Sequence, residues 1–231
     1  MPTLLPGLPT PPICASSKFN GVNGAAYVDD LGAERCKSAT REQVVDVLRR
    51  TVARLHRLRT AVVPAAETEL AQLAYGDLKP EHVVFPDGPG SRPVFIDPGL
   101  LRGGQVVDAA KLISRIVLLL AATQPGPDVA DDALDGIDLF TQGQLRDVDG
   151  DARAAWLREL VTLWLMDSVN IITTYLSVPP ALPLPAHGEA LLRRVVPAVC
   201  MVDRISEALV SGTPPRLVFQ SALGHAWTAA S

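Results

Sequence analysis

The clearest pattern along the chain is a helical alternation of apolar and basic residues between positions 40 and 58. Apolar side chains recur there at the spacing of one helix face, at Val44, Val45, Leu48, Val52, Leu55 and Leu58. Four arginines mostly fall between them. Thr40 and Gln43 stand at the spacing of a capping box. The pattern therefore predicts an amphipathic helix that Thr40 caps and that runs for about five turns.

The middle of the chain changes to a β-rich pattern. A second, weaker helix is predicted over residues 65–74. Residues 83–85 (Val-Val-Phe) and 94–96 (Val-Phe-Ile) are short runs of β-branched and aromatic residues, and the segment 86–91 between them contains Pro, Asp, Gly and Ser. That segment favours a turn. The pattern predicts a β-hairpin with a loop longer than two residues.

Helical periodicity returns in the second half of the chain. Asp108 is a candidate N-cap, and the apolar residues from 112 to 120 cover most of the helix circumference, which is typical of a buried helix. Helices are also predicted at about 152–177 and 187–210, separated by prolines. The acidic run at 128–138 is interpreted as a solvated loop. The predicted fold class is α+β, mainly helical with a small sheet.

Composition is that of an ordinary globular protein. Of 231 residues, 48% are apolar and 20% are charged, so the chain can bury a core. A net charge of −4 provides no basic surface for nucleic acid. The apolar runs are shorter than the ~20 residues of a membrane span, and three widely spaced cysteines argue against a disulfide framework. We expect a soluble, cytoplasmic protein that binds neither nucleic acid nor membrane, with an extended or disordered lead at 1–23.

Two aspartates in the middle of the chain carry the strongest chemical signal. Asp77 precedes the predicted hairpin, and Asp97 directly follows its second strand and is followed by Pro98 and Gly99. A sharp turn after a strand leaves the carboxylate projecting from the strand end. Phosphoryl transfer needs one carboxylate to hold Mg²⁺ against phosphate oxygens and another to accept a proton from the attacking hydroxyl. The pair is therefore a candidate phosphotransferase site.

The sequence around both aspartates resembles that of kinase-like phosphotransferases. Asp-Leu-Lys-Pro-Glu-His at 77–82 resembles the kinase catalytic loop. Tyr-Gly-Asp at 75–77 is similar to the His-Gly-Asp of aminoglycoside and macrolide phosphotransferases, and Phe-Ile-Asp-Pro-Gly at 95–99 resembles their metal-binding segment. The match implies a protein-kinase-like fold.

Three further features resemble that family and follow in its order. Leu-His-Arg-Leu at 55–58 resembles the end of the helix before the catalytic loop. Tyr-Val-Asp-Asp-Leu-Gly at 27–32 resembles the hinge strand, and Asp108 matches an aspartate that the family uses to brace the catalytic loop.

The resemblance implies a role for each matching residue. Asp77 would be the catalytic base, and Lys79 would contact the transferring phosphoryl group. Asp97 would be the principal Mg²⁺ ligand, with His82 at the position of a second ligand. ATP would be the co-substrate. Its adenine is expected against the backbone of the hinge residues Asp29, Asp30 and Leu31.

The resemblance also implies a domain organisation. Residues 24–231 would form a kinase-like C-lobe, with a hinge strand at 25–32, catalytic and metal loops at 75–99 and a helical subdomain at 108–231. Only about 25 residues precede the hinge, too few for an N-lobe with a glycine-rich loop and a strand lysine. We therefore expect the N-lobe to be absent or severely truncated. It could be missing from this sequence, supplied by a partner chain, or lost together with catalysis.

Several functions stay open at this point. The phosphoryl acceptor could be a hydroxyl of a small molecule or of a Ser/Thr peptide. The main alternative is a non-catalytic pseudokinase or half-kinase, a binding module that docks a partner chain through the face left bare by the N-lobe. A metal-dependent hydrolase that uses Asp77 and Asp97 is a third hypothesis.

Overall fold

The computed structural model describes residues 35–59, 73–87, 90–102 and 105–231. Within these ranges the chain forms seven α-helices, four very short strands and one 3-10 turn at Pro80–His82. The helices and strands, in chain order, are α1 (Ser38–Arg59), β1 (Leu73–Ala74), β2 (Val83–Val84), β3 (Val94–Phe95), β4 (Leu101–Arg102), α2 (Gln105–Thr123), α3 (Pro127–Gln144), α4 (Gly150–Ser177), α5 (Ala186–Arg193), α6 (Val195–Val210) and α7 (Pro215–Ala230). The mainly helical α+β class is confirmed.

Helix α4 forms the centre of the hydrophobic core. The carboxylate of Asp149 caps its start by accepting the N–H of Ala152 at 2.8 Å, and Pro179 and Pro180 follow its end. Trp164, near the middle of α4, is fully buried. Helices α2, α6 and α7 pack against α4, while α1 packs mainly on α6. Each large side chain buried in this way contributes roughly 1.5–3 kcal/mol to stability.

Among the described residues, α4 is also the helix whose length and composition would allow it to cross a bilayer. However, 78% of its most apolar window is buried inside the protein. A helix in a protein core is expected to be apolar on all sides. The burial of α4 therefore explains its apolar composition.

Two small antiparallel sheets hold the candidate loops at their ends. Strand β2 pairs with β3, so that Val83 lies opposite Phe95, and this pairing confirms the predicted hairpin. Strand β1 pairs with β4, so that Ala74 lies opposite Leu101. The loop between β1 and β2 contains Asp77, and the loop between β3 and β4 contains Asp97. The strands before and after the Asp77 loop, β1 and β2, therefore pair with the strands after and before the Asp97 loop, β4 and β3. This pairing holds both loops at their two ends.

Two predictions in the first half of the chain need correction. Helix α1 begins at Ser38, so Thr40 lies inside its first turn, and the Thr40 hydroxyl donates to the Lys37 carbonyl at 3.1 Å instead of capping the helix. The prediction of a helix over 65–74 is wrong at its C-terminal end, because Leu73 and Ala74 form strand β1. Residues 65–72 lie outside the described residues.

In the second half of the chain, the start of α2 and the acidic run at 128–138 differ from the predictions. Helix α2 begins at Gln105, so Asp108 lies in its first turn and is not its N-cap. The acidic run at 128–138 lies in helix α3, not in a loop. Pro127 at the first position and Asp128 in the first turn favour a helix start. Ala130, Leu134, Ile137 and Thr141 form the buried face of this helix.

The helix predicted over 187–210 is divided at Arg194 into α5 and α6. Pro197 accounts for the break, because it has no N–H to donate to the preceding turn and its ring would clash with the carbonyl of Arg193. Helix α7 was not predicted. Its buried residues Val218, Ala222 and Ala226 follow helical spacing after Pro215.

Candidate active site

The carboxylate of Asp108 holds the first candidate loop in place. Its two oxygens accept the backbone N–H groups of Tyr75 and Gly76, each at 2.7 Å. The expectation that Asp108 braces this loop is confirmed. Hydrogen bonds to an ionised acceptor are among the stronger ones in proteins. Gly76 has a φ of +88°, in the region that favours glycine, so the loop turns sharply between the braced amides and Asp77.

Lys111 is a site residue that the sequence analysis missed. It lies one turn after Asp108 on α2 and its side chain is buried. The ammonium donates to the carbonyl oxygen of Gly76 at 2.6 Å and lies 3.5 Å from a carboxylate oxygen of Asp77. A buried ammonium needs such partners, because desolvating an unpaired charge is costly. The available signal was a lysine three residues after Asp108 in an otherwise apolar helix.

The carboxylate of Asp77 lies between two lysines. One oxygen accepts from Lys79 at 3.2 Å, the other lies near Lys111, and the side chain is 40% exposed. Partial burial raises the pKa of Asp77. The hydrogen bond from Lys79 and the charges of Lys111 and Arg115 lower it further than burial raises it, so the net pKa lies below the ordinary 3.8. Asp77 is therefore ionised at neutral pH, as a proton acceptor must be.

Asp97 is exposed at the end of β3, as the sequence indicated. Its side chain is 85% exposed. Its φ of +58° lies in the left-handed region, which aspartate tolerates better than most residues with a Cβ. The backbone thus turns at Asp97 itself, before Pro98 and Gly99. The carboxylate projects into solvent where a bound ion or phosphate could reach it.

Backbone hydrogen bonds join the loop of Asp97 to the loop of Asp77. The N–H of Leu100 donates to the carbonyl of Tyr75 at 2.9 Å, and the N–H of Ile96 donates to the carbonyl of His82 at 3.0 Å. These bonds continue the pairing of the two sheets along the loops.

Close packing at Gly99 and around Tyr75 completes the junction. A Cβ added at Gly99 would lie 3.6 Å from the Cβ of Asp77, so the two loops touch there. The Tyr75 ring contacts the rings of His82 and Phe95, each with centroids 6.2 Å apart. The structure therefore brings Asp77, Asp97 and His82 together at one place.

His82 is buried beside Asp97, but its surroundings fit a metal only in part. Its Nε2 atom lies 3.8 Å from a carboxylate oxygen of Asp97. Its Nδ1 atom is buried and has no hydrogen-bond partner in the part of the chain that the structure describes. A metal-binding histidine usually donates its second ring N–H to an acceptor, and Mg²⁺ prefers oxygen ligands. The carboxylate of Asp97 therefore fits Mg²⁺ better than His82 does.

A buried carboxylate supports the site from behind. Asp167 on α4 is 3% exposed, accepts a hydrogen bond from the Ser114 hydroxyl and lies 3.6 Å from Nε of Arg115. Burial raises the pKa of Asp167, and the charge of Arg115 lowers it by less. Arg115 is held in this way on the face of α2 where its charge also acts on Asp77. The sequence analysis assigned no role to either residue.

The hinge residues expected to hold adenine, Asp29, Asp30 and Leu31, lie outside the described residues, as do the lead at 1–23 and the predicted hinge strand at 25–32. Comparisons of the chain with protein-family models, with curated proteins and with solved structures found no match. The function is therefore argued from the geometry of the loops.

Replacing Asp108 with alanine should lower the free energy of unfolding by about 3 kcal/mol, because two backbone N–H groups lose a charged acceptor. The matched control is Asp128→Ala, which removes an exposed aspartate from the first turn of α3 and should cost less than about 1 kcal/mol. Denaturant unfolding measures both losses. Hydrogen exchange at the amides of Tyr75 and Gly76 should accelerate only in Asp108→Ala. Equal losses with unchanged exchange would show that Asp108 is no brace.

Replacing Lys111 with methionine should raise the pKa of Asp77 towards its ordinary value, because a nearby cation favours the ionised carboxylate. A pH titration of the Asp77 carboxyl followed by NMR measures this shift. Lys37→Met removes an exposed lysine just before α1 and is the control that should leave the titration unchanged. An Asp77 titration that is the same in both variants would contradict the electrostatic role of Lys111.

The same titration has a consequence for stability. Because the pKa of Asp77 is lower in the folded protein than in the unfolded chain, its stabilising contribution is present above the unfolded pKa of about 3.9 and is lost as the pH falls through the folded value. In Lys111→Met the two pKa values lie closer together. We therefore expect a smaller loss of stability from Asp77 on acidification in that variant.

Proposed function

We propose that this chain is an ATP-dependent phosphotransferase with a kinase-like catalytic lobe of the aminoglycoside phosphotransferase type. It would transfer the γ-phosphoryl group of ATP to a hydroxyl of a small molecule or of a Ser/Thr peptide, in the cytoplasm. The observation that carries the proposal is the pairing of two aspartates on adjoining loops, Asp77 braced and ionised and Asp97 exposed at a strand end. Phosphoryl transfer depends mainly on positioning and on charge stabilisation, which such a pair can supply.

Asp77 is the proposed base for the acceptor hydroxyl. Its carboxylate is ionised, reachable from solvent, and held by the loop that Asp108 and Lys111 fix. A low pKa makes Asp77 a weak base. That suits a loose transition state, in which the carboxylate orients the hydroxyl and the proton moves late. The ammonium of Lys79 lies 3.2 Å from Asp77, and in this proposal it would stabilise the negative charge of the transferring group.

Asp97 is the proposed principal ligand of Mg²⁺, with Nε2 of His82 as the second protein ligand. A hard carboxylate oxygen is the donor that Mg²⁺ prefers. Bound Mg²⁺ would neutralise charge on the phosphate oxygens of ATP. In the described ranges no group of three or more His, Cys, Asp or Glu side chains could hold a metal ion. In the proposed site, the phosphates of ATP and water would supply the ligands of Mg²⁺ other than Asp97 and His82.

One observation favours the alternative of a non-catalytic binding module that takes a partner chain. The hairpin exposes apolar side chains in both strands and beyond them, and Phe85 alone is 73% exposed. The exposed set is Val84, Phe85, Val94, Phe95 and Ile96. Val84 and Val94 lie opposite each other, so their exposed side chains share one face of the hairpin, and exposed apolar surface often marks an interaction site. The hydrolase hypothesis has no comparable support among the described residues.

Titration calorimetry of the full chain with ATP and Mg²⁺ tests the proposal. Asp97→Asn should weaken magnesium-dependent ATP binding at least about tenfold, because the amide lacks the charge that holds Mg²⁺. Asp77→Asn should bind MgATP within about twofold of the wild type but lose transfer to the acceptor, since the base acts on the acceptor. Asp87→Asn changes an exposed aspartate of the hairpin turn and should match the wild type in both assays.

Each negative result has a separate meaning. Absence of MgATP binding at millimolar concentration would reject the phosphotransferase and favour the binding module. Binding that does not depend on Asp97 would remove that residue from the metal site. Phosphoryl transfer retained in Asp77→Asn, measured with a panel of alcohols and Ser/Thr peptides, would remove Asp77 from the role of base.

A further inference from the structure

A small pocket of about 140 Å³ opens between the Asp77 loop and helices α2, α4 and α5. Buried leucine and isoleucine side chains, Leu118, Ile171 and Leu191, form its floor. Polar groups lie among its other lining residues, of which Glu81 and His187 are exposed. The pocket thus has an apolar interior and a polar margin, the arrangement of sites that bind small organic molecules.

The pocket lies next to the candidate base. Its lining residue Glu81 belongs to the 3-10 turn that follows Asp77, four residues later. Its lining residue Arg115 is one helical turn after Lys111, which contacts Asp77. One turn of helix spans only about 5.4 Å. Arg115 also lies close enough to Asp77 for its charge to lower the pKa of that carboxyl, so the pocket and the candidate base share Arg115 as a neighbour.

The wall between α4 and α5 is closely fitted. The Tyr175 hydroxyl and Nε2 of His187 form a 2.7 Å hydrogen bond, and their rings meet edge to face. A Cβ added at Gly188 would come within 3.3 Å of the Tyr175 ring. That is tighter than most Cβ contacts, so glycine allows α5 to approach Tyr175 this closely. Changes at Gly188 should therefore displace the wall.

We propose that this pocket binds the phosphoryl acceptor, and that the acceptor is an alcohol with an uncharged apolar body about the size of a benzene ring. The inference rests on the proposed function of Asp77 and Asp97. A dry apolar cavity of about 150 Å³ is known to hold benzene, so a pocket of 140 Å³ takes a group of that size. The hydroxyl would extend from the apolar floor towards Asp77.

The charges around the pocket argue against a polycationic acceptor. Arg115 lines the pocket and would repel a second cation. The acidic side chains at 128–138 lie on α3, which does not contribute to the lining. Glu81 is the one carboxylate among the described lining residues, and it lies at the exposed margin of the pocket. An uncharged apolar acceptor would suit the buried floor, because that floor offers no partner for a charged group and burying an unpaired charge is costly.

The reaction balances without a further reactant. The oxygen of the alcohol forms a bond to the γ-phosphorus of ATP, while the bond from that phosphorus to the bridging oxygen breaks and ADP leaves with the electron pair. The hydroxyl proton passes to the carboxylate of Asp77. The products are a phosphate monoester and ADP.

Benzyl alcohol is the probe for the test, with binding to the full chain followed by amide chemical shifts. Ala122→Phe places a ring inside the pocket and should weaken binding at least about tenfold, whereas Ala155→Phe adds the same ring at an exposed position of α4 and should bind like the wild type. Gly188→Ala should also weaken binding. Its control is Gly136→Ala, whose added Cβ meets nothing within 4 Å.

The second readout is ADP formation from MgATP, which benzyl alcohol should stimulate in the wild type but not in Asp77→Asn. If MgATP binds and benzyl alcohol does not, the inference about the acceptor is overturned while the proposed function stands. Tighter binding of the diamine 2-deoxystreptamine than of benzyl alcohol would overturn it as well. If benzyl alcohol binds and MgATP does not, both the inference and the proposed function fail.

Discussion

The two hydrogen bonds that Asp108 accepts from the amides of Tyr75 and Gly76 set the geometry of the whole candidate site. Asp108 lies in the first turn of α2, where the helix dipole favours a negative charge. Helix α2 packs across α4, α5 and α7, so the loop is anchored to the core of the protein. The second loop depends on the first, because Leu100 donates to the carbonyl of Tyr75. The placement of Asp97 therefore depends on Asp108 indirectly, through the hydrogen bonds that join Tyr75 to Asp108 and Leu100 to Tyr75.

The same helix also sets the charge of the site. Lys111 contacts the Asp77 loop from its buried side, and Arg115, one turn later, is held by the buried carboxylate of Asp167. Both cations lower the pKa of Asp77. A buried lysine and a buried aspartate are costly unless paired, so each constrains the packing around it. One face of α2 thus supplies an anion for the loop backbone and cations for the loop carboxylate.

The extent to which this structure could be predicted depends on how local each signal is. Helix α1 and the hairpin were predicted because their periodicities are contained in short segments. Ala74 was placed in a helix because its partner Leu101 is distant in sequence. The segment of α3 was predicted as a loop because of its exposed aspartates, although its buried residues follow helical spacing. In the site, the loop motifs indicated Asp77 and Asp97 as candidates, whereas Lys111 acquires its contacts only when the Asp77 loop packs on α2, and Asp167 only when α4 packs against α2.

Exposure is the remaining physical constraint on the proposed chemistry. Charges stabilise a phosphoryl group strongly only where water is excluded, and the Asp97 carboxylate faces solvent. The proposed acceptor pocket has a buried apolar floor, against which the body of a bound alcohol would be shielded from water. The hairpin has apolar side chains, such as Phe85, that a second surface could cover. The proposed catalysis and the proposed binding of a partner would therefore not exclude each other, since a surface covering the hairpin would also lower the dielectric constant near Asp97.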